Sequence, residues 1–446
     1  MSPNSNSGLA NIVALADLIS SAVKDVVAEY TAAGVSMPSL SSTITGPFDT
    51  PESTPPNLAK AIRTIEAACT QLSFSVASPG HVVVNKCYGF EEPTCMLVAT
   101  DAKIADHLLD RPEGLHVDEL GRITGIDAAK LGRVLRLLAT KHCFTEVKPN
   151  VFSNNRLSMK LVSTDPVSGV VGHMTDEVCK ASTELNENLK DIHTTSSVSP
   201  LGSAFKRAHG CGIFEFYASR FNQAMIGWGY VTGKGMLPKV YPWGSLPAET
   251  VFCDVGGGKG HAAIELLKVF PQLKVVVQDL PTVAAEGKKY LQQQAMDPLL
   301  KERVQFVPLD FFGETPVAGC DVYYMRHVLH DWPLGECKKI LDNLRKVVKP
   351  SSRFFIHELV LQHVVGDSIS DKQFEKAPEP LLPNFGAGRF RLYAQDINMM
   401  TLLNSQERTL PQFIEMGASS GFEFVKLWDL GEVGLMEFVP FCSRLI

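Results

Sequence analysis

Hydrophobic residues recur along this chain with two different periods, and the change from one to the other divides it. From Ala10 to Tyr30 the residues Ile12, Leu15, Leu18, Ile19, Val23, Val26 and Val27 fall at helical spacing, which predicts a long amphipathic helix. A Pro-, Ser- and Thr-rich stretch follows from Gly34 to Asn57, centred on PFDTPESTPP, and reads as a linker or a wrapped arm. Asn57–Val76 is helical again, with Leu58, Ile62, Ile65 and Leu72 on one side. Apolar helices placed ahead of any catalytic region suit packing against a partner.

Between Ala99 and Val162 the elements shorten. Lys103–Leu109 reads as a helix, LHVDELGRITGID as a strand-like entry followed by helix and turn, and Lys130–Thr140 as a strongly amphipathic helix. FTEVKPNVFSNN predicts a hairpin turning at Lys148–Asn150. Helix, turn, helix and hairpin in this order make a winged-helix pattern, which invites a DNA-binding reading. The helix offers only Lys130, Arg133 and Arg136, without a broad basic face, so a structural role is expected instead. Thr175–Ile192 and Phe214–Gly227 are expected to be connecting helices.

From Glu249 the apolar pattern becomes that of strands: VFCDVG, LKVVVQDL, RVQFVPLDF, CDVYYMRHVL, SRFFIHELVL, FEFVKLWDL and GLMEFVPF. Apolar helical segments are expected between the first five, as in Cys337–Val348 with Ile340, Leu341, Leu344, Val347 and Val348 on one face. The alternation predicts an α/β fold with a mostly parallel, Rossmann-like sheet covered on both sides. The last two strands leave no room for a crossover helix, so they form a hairpin and the final strand runs antiparallel to the rest. The expected division is residues 1–90 as helical arm and linker, 91–200 as winged-helix-like domain, and 201–446 as ligand-binding domain.

Composition narrows the function. The chain has 446 residues, enough for two or three domains, with 45% hydrophobic and 20% charged residues, as in a globular protein. Its net charge of −6 argues against a nucleic-acid partner. The first residues have no basic region typical of a secretory signal, and no stretch approaches the roughly 18 apolar residues that span a bilayer. Ten scattered cysteines without a CxxC pair fit buried small hydrophobes in a reducing, cytoplasmic location, with no metal site.

The candidate chemistry begins at Val251–Gly260, where a strand runs into Asp254-x-Gly256-x-Gly258-x-Gly260. A Gly-Lys-Ser/Thr phosphate loop is absent, and the sixth position counted from Gly256 is His261, so the dinucleotide fingerprint fails. A carboxylate just before the glycines would repel a pyrophosphate but suits an amine, as in S-adenosylmethionine. Asp279, followed by Leu280, ends the second strand, where a carboxylate accepts ribose hydroxyls. Asp310 ends the third, with Phe311 offering an apolar face to an adenine. Each of these carboxylates taken alone is also a credible helix cap.

The fourth strand ends Arg326-His327-Val328-Leu329-His330-Asp331-Trp332. With the DVGGGxG turn, the DLP of Asp279–Pro281, the HDW of His330–Trp332 and Glu407-Arg408-Thr409 in order, the chain resembles the plant and fungal S-adenosylmethionine-dependent O-methyltransferases of the caffeate/flavonoid-like class. The resemblance runs from about Ala99 onward; the longer first part looks fungal. It implies a class I methyltransferase sheet, an N-terminal dimerisation domain, a homodimer and a small phenolic or enolic acceptor. It makes His330 the general base, flanked by Glu358 and Glu407, Asp331 a substrate-contacting acid and Trp332 an aromatic beside the cofactor. Arg326 stands where plant relatives carry Lys, and Lys259 replaces a small residue of the turn. A base has a physical rationale too, since a phenol of pKa about 10 is only about 0.1% ionised at neutral pH. His327 is expected to lie within the strand and to be structural.

For the acceptor, Phe221–Met236, which includes Met225, resembles a pocket-lining segment. Tyr393–Asn404, with Asp396, Met399 and Met400, resembles a helix that clamps an aromatic ring. A methionine pair on a helix is equally well core packing. Gly366–Gly388 is a lid or merely a mobile loop. A pericyclase or dehydratase on the same scaffold is the alternative enzyme.

Overall fold

The computed structural model describes residues 7–213, 215, 216 and 219–441. They form two compact units. The first holds the residues up to Thr195 together with Ser203–Thr232 and Glu379–Leu381, and the second holds Ser196–Gly202, Gly233–Pro378 and the chain from Leu382 onward. Residues 203–232, expected on the catalytic side of a boundary at 200, therefore group with the first unit.

In the first unit α1 (Ser7–Ala32) packs on α2 (Pro56–Val76), burying Leu15, Ala22 and Tyr30 against the Leu58, Ala61 and Ala68 side of its neighbour. Val23 and Val27 belong to the predicted stripe yet remain exposed, because the buried face is narrower than the apolar one. The Pro-rich stretch after α1 is a wrapped arm: Arg156 pairs with Asp49 and donates to the Pro38 carbonyl, and its backbone N–H bonds Leu40 O.

The winged-helix pattern is present as predicted. Helix α3 (Val117–Thr124) ends at Gly125 and α4 (Ala128–Thr140) starts at an Asp127 cap. A small sheet orders Leu115–His116, Val151–Ser153 and Thr145–Lys148. Its core is Leu120, Leu131, Leu135, Leu138, Phe144 and Phe152. Arg136 is spent inside the motif, donating to Asn150 Oδ1 at 2.7 Å.

Thr175–Ile192 is not one helix. A π turn at Met174–Val178 passes into short helices at Cys179–Thr183 and Leu185–Lys190. The next expected helix begins later than its sequence pattern, as α5 (Ser219–Val231); Phe214, Tyr217 and Ala218 lie outside the described residues. It packs on Pro166–His173 so closely that a Cβ on Gly227 would meet the Pro166 carbonyl at 2.1 Å.

The second unit is built on an eight-stranded sheet whose seven longer strands are β1 (Val251–Val255), β2 (Lys274–Asp279), β3 (Val304–Pro308), β4 (Val322–Arg326), β5 (Arg353–Leu361), β6 (Phe422–Asp429) and β7 (Val433–Pro440), while the eighth, Arg408–Thr409, pairs with the end of β5. Their order is β6-β7-β5-β4-β1-β2-β3, and every pairing is parallel except those made by β7. Successive residues face opposite sides of a strand. Thus Tyr323 and Met325 pack with Ile340, Leu341 and Leu344 of α8 (Leu334–Arg345). Val322 and Tyr324 share a core with Leu266 and Leu267 of α6 (His261–Val269) and Ala284 of α7 (Pro281–Gln293).

One expectation fails here. No helix joins β3 to β4: residues 309–321 form turns, in which Gly313, Pro316 and Gly319 break any helical run, and Val317 N–H is taken by buried Gln278. The 366–388 loop, read as a lid or a mobile loop, has several points of attachment. Phe374 and Phe385 are buried, and Asn384 donates to the Tyr393 hydroxyl, which donates to Gln362 O.

Candidate active site

Chain reversal at the end of β1 needs backbone that most residues resist. Gly256, Gly258 and Gly260 all have positive φ, and a Cβ on Gly256 would lie 2.7 Å from Val328 Cγ2. The turn is fastened to β2. Gly256 and Gly257 N–H both reach Gln278 O, and Gly258 N–H donates to Asp279 Oδ2 at 2.8 Å. Asp279 Oδ1 accepts Leu280 N–H, while Leu280 itself is 52% exposed at the start of α7. Burial pushes the Asp279 carboxyl upward, against these two hydrogen bonds.

Asp254 is 2% exposed, and its carboxyl lies where a Cβ on Gly257 would meet it at 2.5 Å. Burial pushes its pKa up to about 7, with Arg326 opposing and Asp279 adding to the rise. A buried carboxyl in that state gains from a cation brought beside it. Arg326, the last residue of β4, has a buried Nε with no hydrogen-bond partner. Phe311 packs edge-on to Phe312 and Trp332. Asp310 is exposed two residues beyond β3, not at its end, and its Oδ1 accepts Phe312 N–H. Lys259 points to Glu286 of α7 at 3.0 Å. The residues fit an amine-bearing, phosphate-free ligand: an acidic floor, a glycine cradle and an aromatic wall.

His330 sits on a short 3-10 turn, Leu329–Asp331, that follows β4. Its Nδ1 donates to Glu407 Oε1 at 2.8 Å, and its Nε2 lies 3.5 Å from Asp331 Oδ1. Burial disfavours the charged ring, yet Glu407, Glu358 and Asp331 together outweigh it and hold the imidazole well above its ordinary value. Burial raises Glu407, with the His330 charge pulling it back. Asp331 is pushed up to about 6, first by burial and then by Glu358 and Glu407, against His330.

Glu358 does something the sequence did not indicate. It lies within β5, three residues short of the strand end and opposite Gly434 of β7, and beyond it Val360 and Leu361 pair with the short strand Arg408–Thr409. Its Oε1 accepts both Val328 and Leu329 N–H at 3.0 Å, and Oε2 lies 3.8 Å from His330 Nδ1. Arg408 is the residue sequence reasoning passed over. It is 1% exposed and donates to Leu329 O and Trp332 O at 2.7 and 2.6 Å. Ser405 Oγ donates to His330 O. A buried arginine beside Glu407 is the only signal the sequence carried for this clamp.

His327 is not in the strand. It follows β4 with φ 51°, and both ring nitrogens are buried without a hydrogen-bond partner. On the acceptor side, Asp396 Oδ1 accepts Glu407 N–H at 2.9 Å and Met399 is 3% exposed, its sulfur against Gln395. Met225 is 41% exposed on α5 of the first unit.

With this geometry in hand, comparison with known proteins places the chain. An O-methyltransferase domain profile matches residues 185–423, and an O-methyltransferase dimerisation profile matches residues 84–164. The chain belongs to the O-methyltransferase family. This S-adenosylmethionine-dependent O-methyltransferase is 48% identical to 3-O-methyltransferase 2 of Phanerochaete chrysosporium over 96% of its length and 97% of the relative's. Two solved structures share the fold. The mitomycin 7-O-methyltransferase MmcR has TM-score 0.66 at 23% identity, covering 81% of this O-methyltransferase and 98% of that chain. A pericyclic reaction enzyme has TM-score 0.67 at 20% identity, covering 85% and 94%.

Proposed function

We propose that this O-methyltransferase methylates a hydroxyl of a small phenolic or enolic metabolite, with His330 as the general base. The observation that carries the reading is the buried His330–Glu407 pair at the carboxyl edge of the sheet, beside the glycine turn. Because Nδ1 is committed to Glu407, Nε2 is the atom that takes the acceptor proton. Glu407, Glu358 and Asp331 stabilise the imidazolium so formed, while Arg408, Ser405 and Glu358 fix the turn that carries it. General-base help of this kind is worth about 10²–10⁴ in rate.

Asp254, Gly256, Gly258, Asp279, Leu280, Asp310, Phe311, Arg326 and Trp332 would hold the cofactor, which when bound supplies an electrophilic methyl group. Asp254 suits its amine and Asp279 its ribose. Asp331 and Met399 would face the acceptor, with Met225 a further candidate. The dimerisation profile supports a homodimer, the acidic chain with Arg136 engaged argues against a nucleic-acid partner, and the unpaired cysteines among the described residues suit a reducing cytoplasm.

The test is turnover of labelled cofactor against a phenol panel by wild type and His330→Ala. The variant should lose about 10²–10⁴ in turnover with cofactor affinity near wild type, and retained turnover would rule out the base. A pericyclase shares the fold, but a rearrangement has no use for a base bracketed by carboxylates. A product unchanged in mass, with no S-adenosylhomocysteine formed, would favour that second reading.

A further inference from the structure

The base is served by two glutamates, but their second oxygens are not equivalent in what surrounds them. Glu358 is fully buried, its Oε1 is saturated by two backbone N–H groups, and its Oε2 has no hydrogen-bond partner. Two imidazoles flank that oxygen. His330 Nδ1 is 3.8 Å away and already bonded to Glu407, whereas His327 Nδ1 is 3.5 Å away and bonded to nothing. The His327 and His330 rings lie 5.3 Å apart and tilted by 34°. A buried orphan acceptor facing a buried orphan donor is a pair waiting to form, since each costs free energy while unmatched. Catalytic hydrogen bonds are often long before ligands bind and shorten afterwards.

His327 also holds a backbone conformation that few side chains adopt, φ 51°, at the junction between β4 and the base turn. Burial, with Arg326 and His330 adding to it, keeps its ring neutral, so one ring nitrogen donates and the other accepts. One donor atom from each of His327, His330 and Glu358 falls within a 4.8 Å group. A proton on His327 Nδ1 satisfies Glu358 without a metal and leaves the His330–Glu407 bond intact.

We propose that His327 is a positioning residue for the base: its Nδ1–H closes on Glu358 Oε2 and so limits how much of that carboxylate's charge acts on His330. This rests on His330 being the base. The other charged groups around the base are Asp331 on its own turn, Glu407 and Arg408 beside β5, Asp396 through the Glu407 N–H, and Arg326 at the end of β4. None of these has an atom placed to engage Glu358 Oε2. Removing the His327 donor frees Glu358 to act on His330, whose proton affinity then rises.

The experiment compares wild type with His327→Gly and His327→Asn. Both residues tolerate positive φ, but only Asn keeps a donor near the Nδ1 position. The acid limb of kcat/KM, measured with a phenol that wild type methylates, should move up by roughly half a pH unit in His327→Gly, about threefold in proton affinity. In His327→Asn it should stay near wild type. An unmoved limb in His327→Gly, or equal shifts in both variants, overturns the proposal. If either variant fails to fold, ¹⁵N NMR of histidine-labelled wild type decides, because the proposal requires the His327 proton on Nδ1 and a proton on Nε2 overturns it. Failure of the base assignment shows separately, as full turnover in His330→Ala.

Discussion

Replacing Glu407 by Gln removes a charge from beside His330, the proposed base, while keeping a carbonyl oxygen where Oε1 stands. Unit charges 2.8 Å apart attract by roughly 6 kcal/mol at an effective dielectric of about 20. Desolvation of two buried groups offsets part of that, and the Gln carbonyl still accepts the Nδ1 proton. A net loss of about 2–3 kcal/mol follows, or about 30- to 160-fold in the pH-independent kcat/KM. The pH dependence gives a second reading of the same change. Glu407 is the strongest of the attractions that lift His330 against burial, so without it the ring releases its proton at lower pH. The acid limb of kcat/KM should move down while the plateau falls. The assay is methyl transfer from labelled cofactor to a phenol between roughly pH 5.5 and 9.5, where the limb of such a base is read. A plateau within threefold of wild type, or a limb that rises, would refute the electrostatic role assigned to Glu407.

Asp254→Asn should raise the melting temperature of the cofactor-free enzyme at pH 8 but not at pH 4. The carboxyl's folded pKa stands at about 7 against 3.8, so the stability it confers is full below 3.8 and lost as pH rises through 7. That is on the order of 4 kcal/mol. The same change should weaken cofactor binding, and a stability difference independent of pH would contradict the argument. Asp279→Ala should raise the cofactor dissociation constant about tenfold or more, since the anchor of the turn and a ligand contact go together; unchanged calorimetric affinity would contradict it. Gly256→Ala should lower both cofactor affinity and turnover, because its Cβ would meet Val328 Cγ2 at 2.7 Å. Adding Val328→Ala should restore part of both, leaving the backbone cost of about 1–2 kcal/mol; no recovery would mean the contact is not the cause.

What the sequence made legible was whatever depends on local pattern. The apolar runs located the seven longer strands but not the two-residue strand Arg408–Thr409, and the short gap between the last two runs gave the antiparallel β7. The DVGGGxG and HDW stretches located the glycine turn and the buried His330. What depends on contacts distant in the chain was not legible. Arg408 matters because Leu329 and Trp332, nearly eighty residues earlier, lend it their carbonyls. Glu358 could be read as a flank of His330, but its two hydrogen bonds to the Val328 and Leu329 N–H groups, about thirty residues earlier, belong to no local pattern. His327 looked like a strand residue because β4 is apolar up to its neighbours, and a single positive φ that no pattern announces takes it out. The helix expected between β3 and β4 failed because apolar content there serves Gln278 and the aromatic wall, not a helical face.

The place of β7 bears on how the molecule comes into being. It follows every other strand in chain order, yet it lies inside the sheet, between β6 and β5. Until Val433–Pro440 arrives, β5 presents an unpaired edge carrying Phe354, Phe355 and Ile356, a surface that invites association with other chains. Glu358 sits on that same strand, opposite Gly434. The segment that covers this edge is thus also the one that pairs with the strand carrying Glu358, so protection from aggregation and placement of that carboxylate depend on the same eight residues.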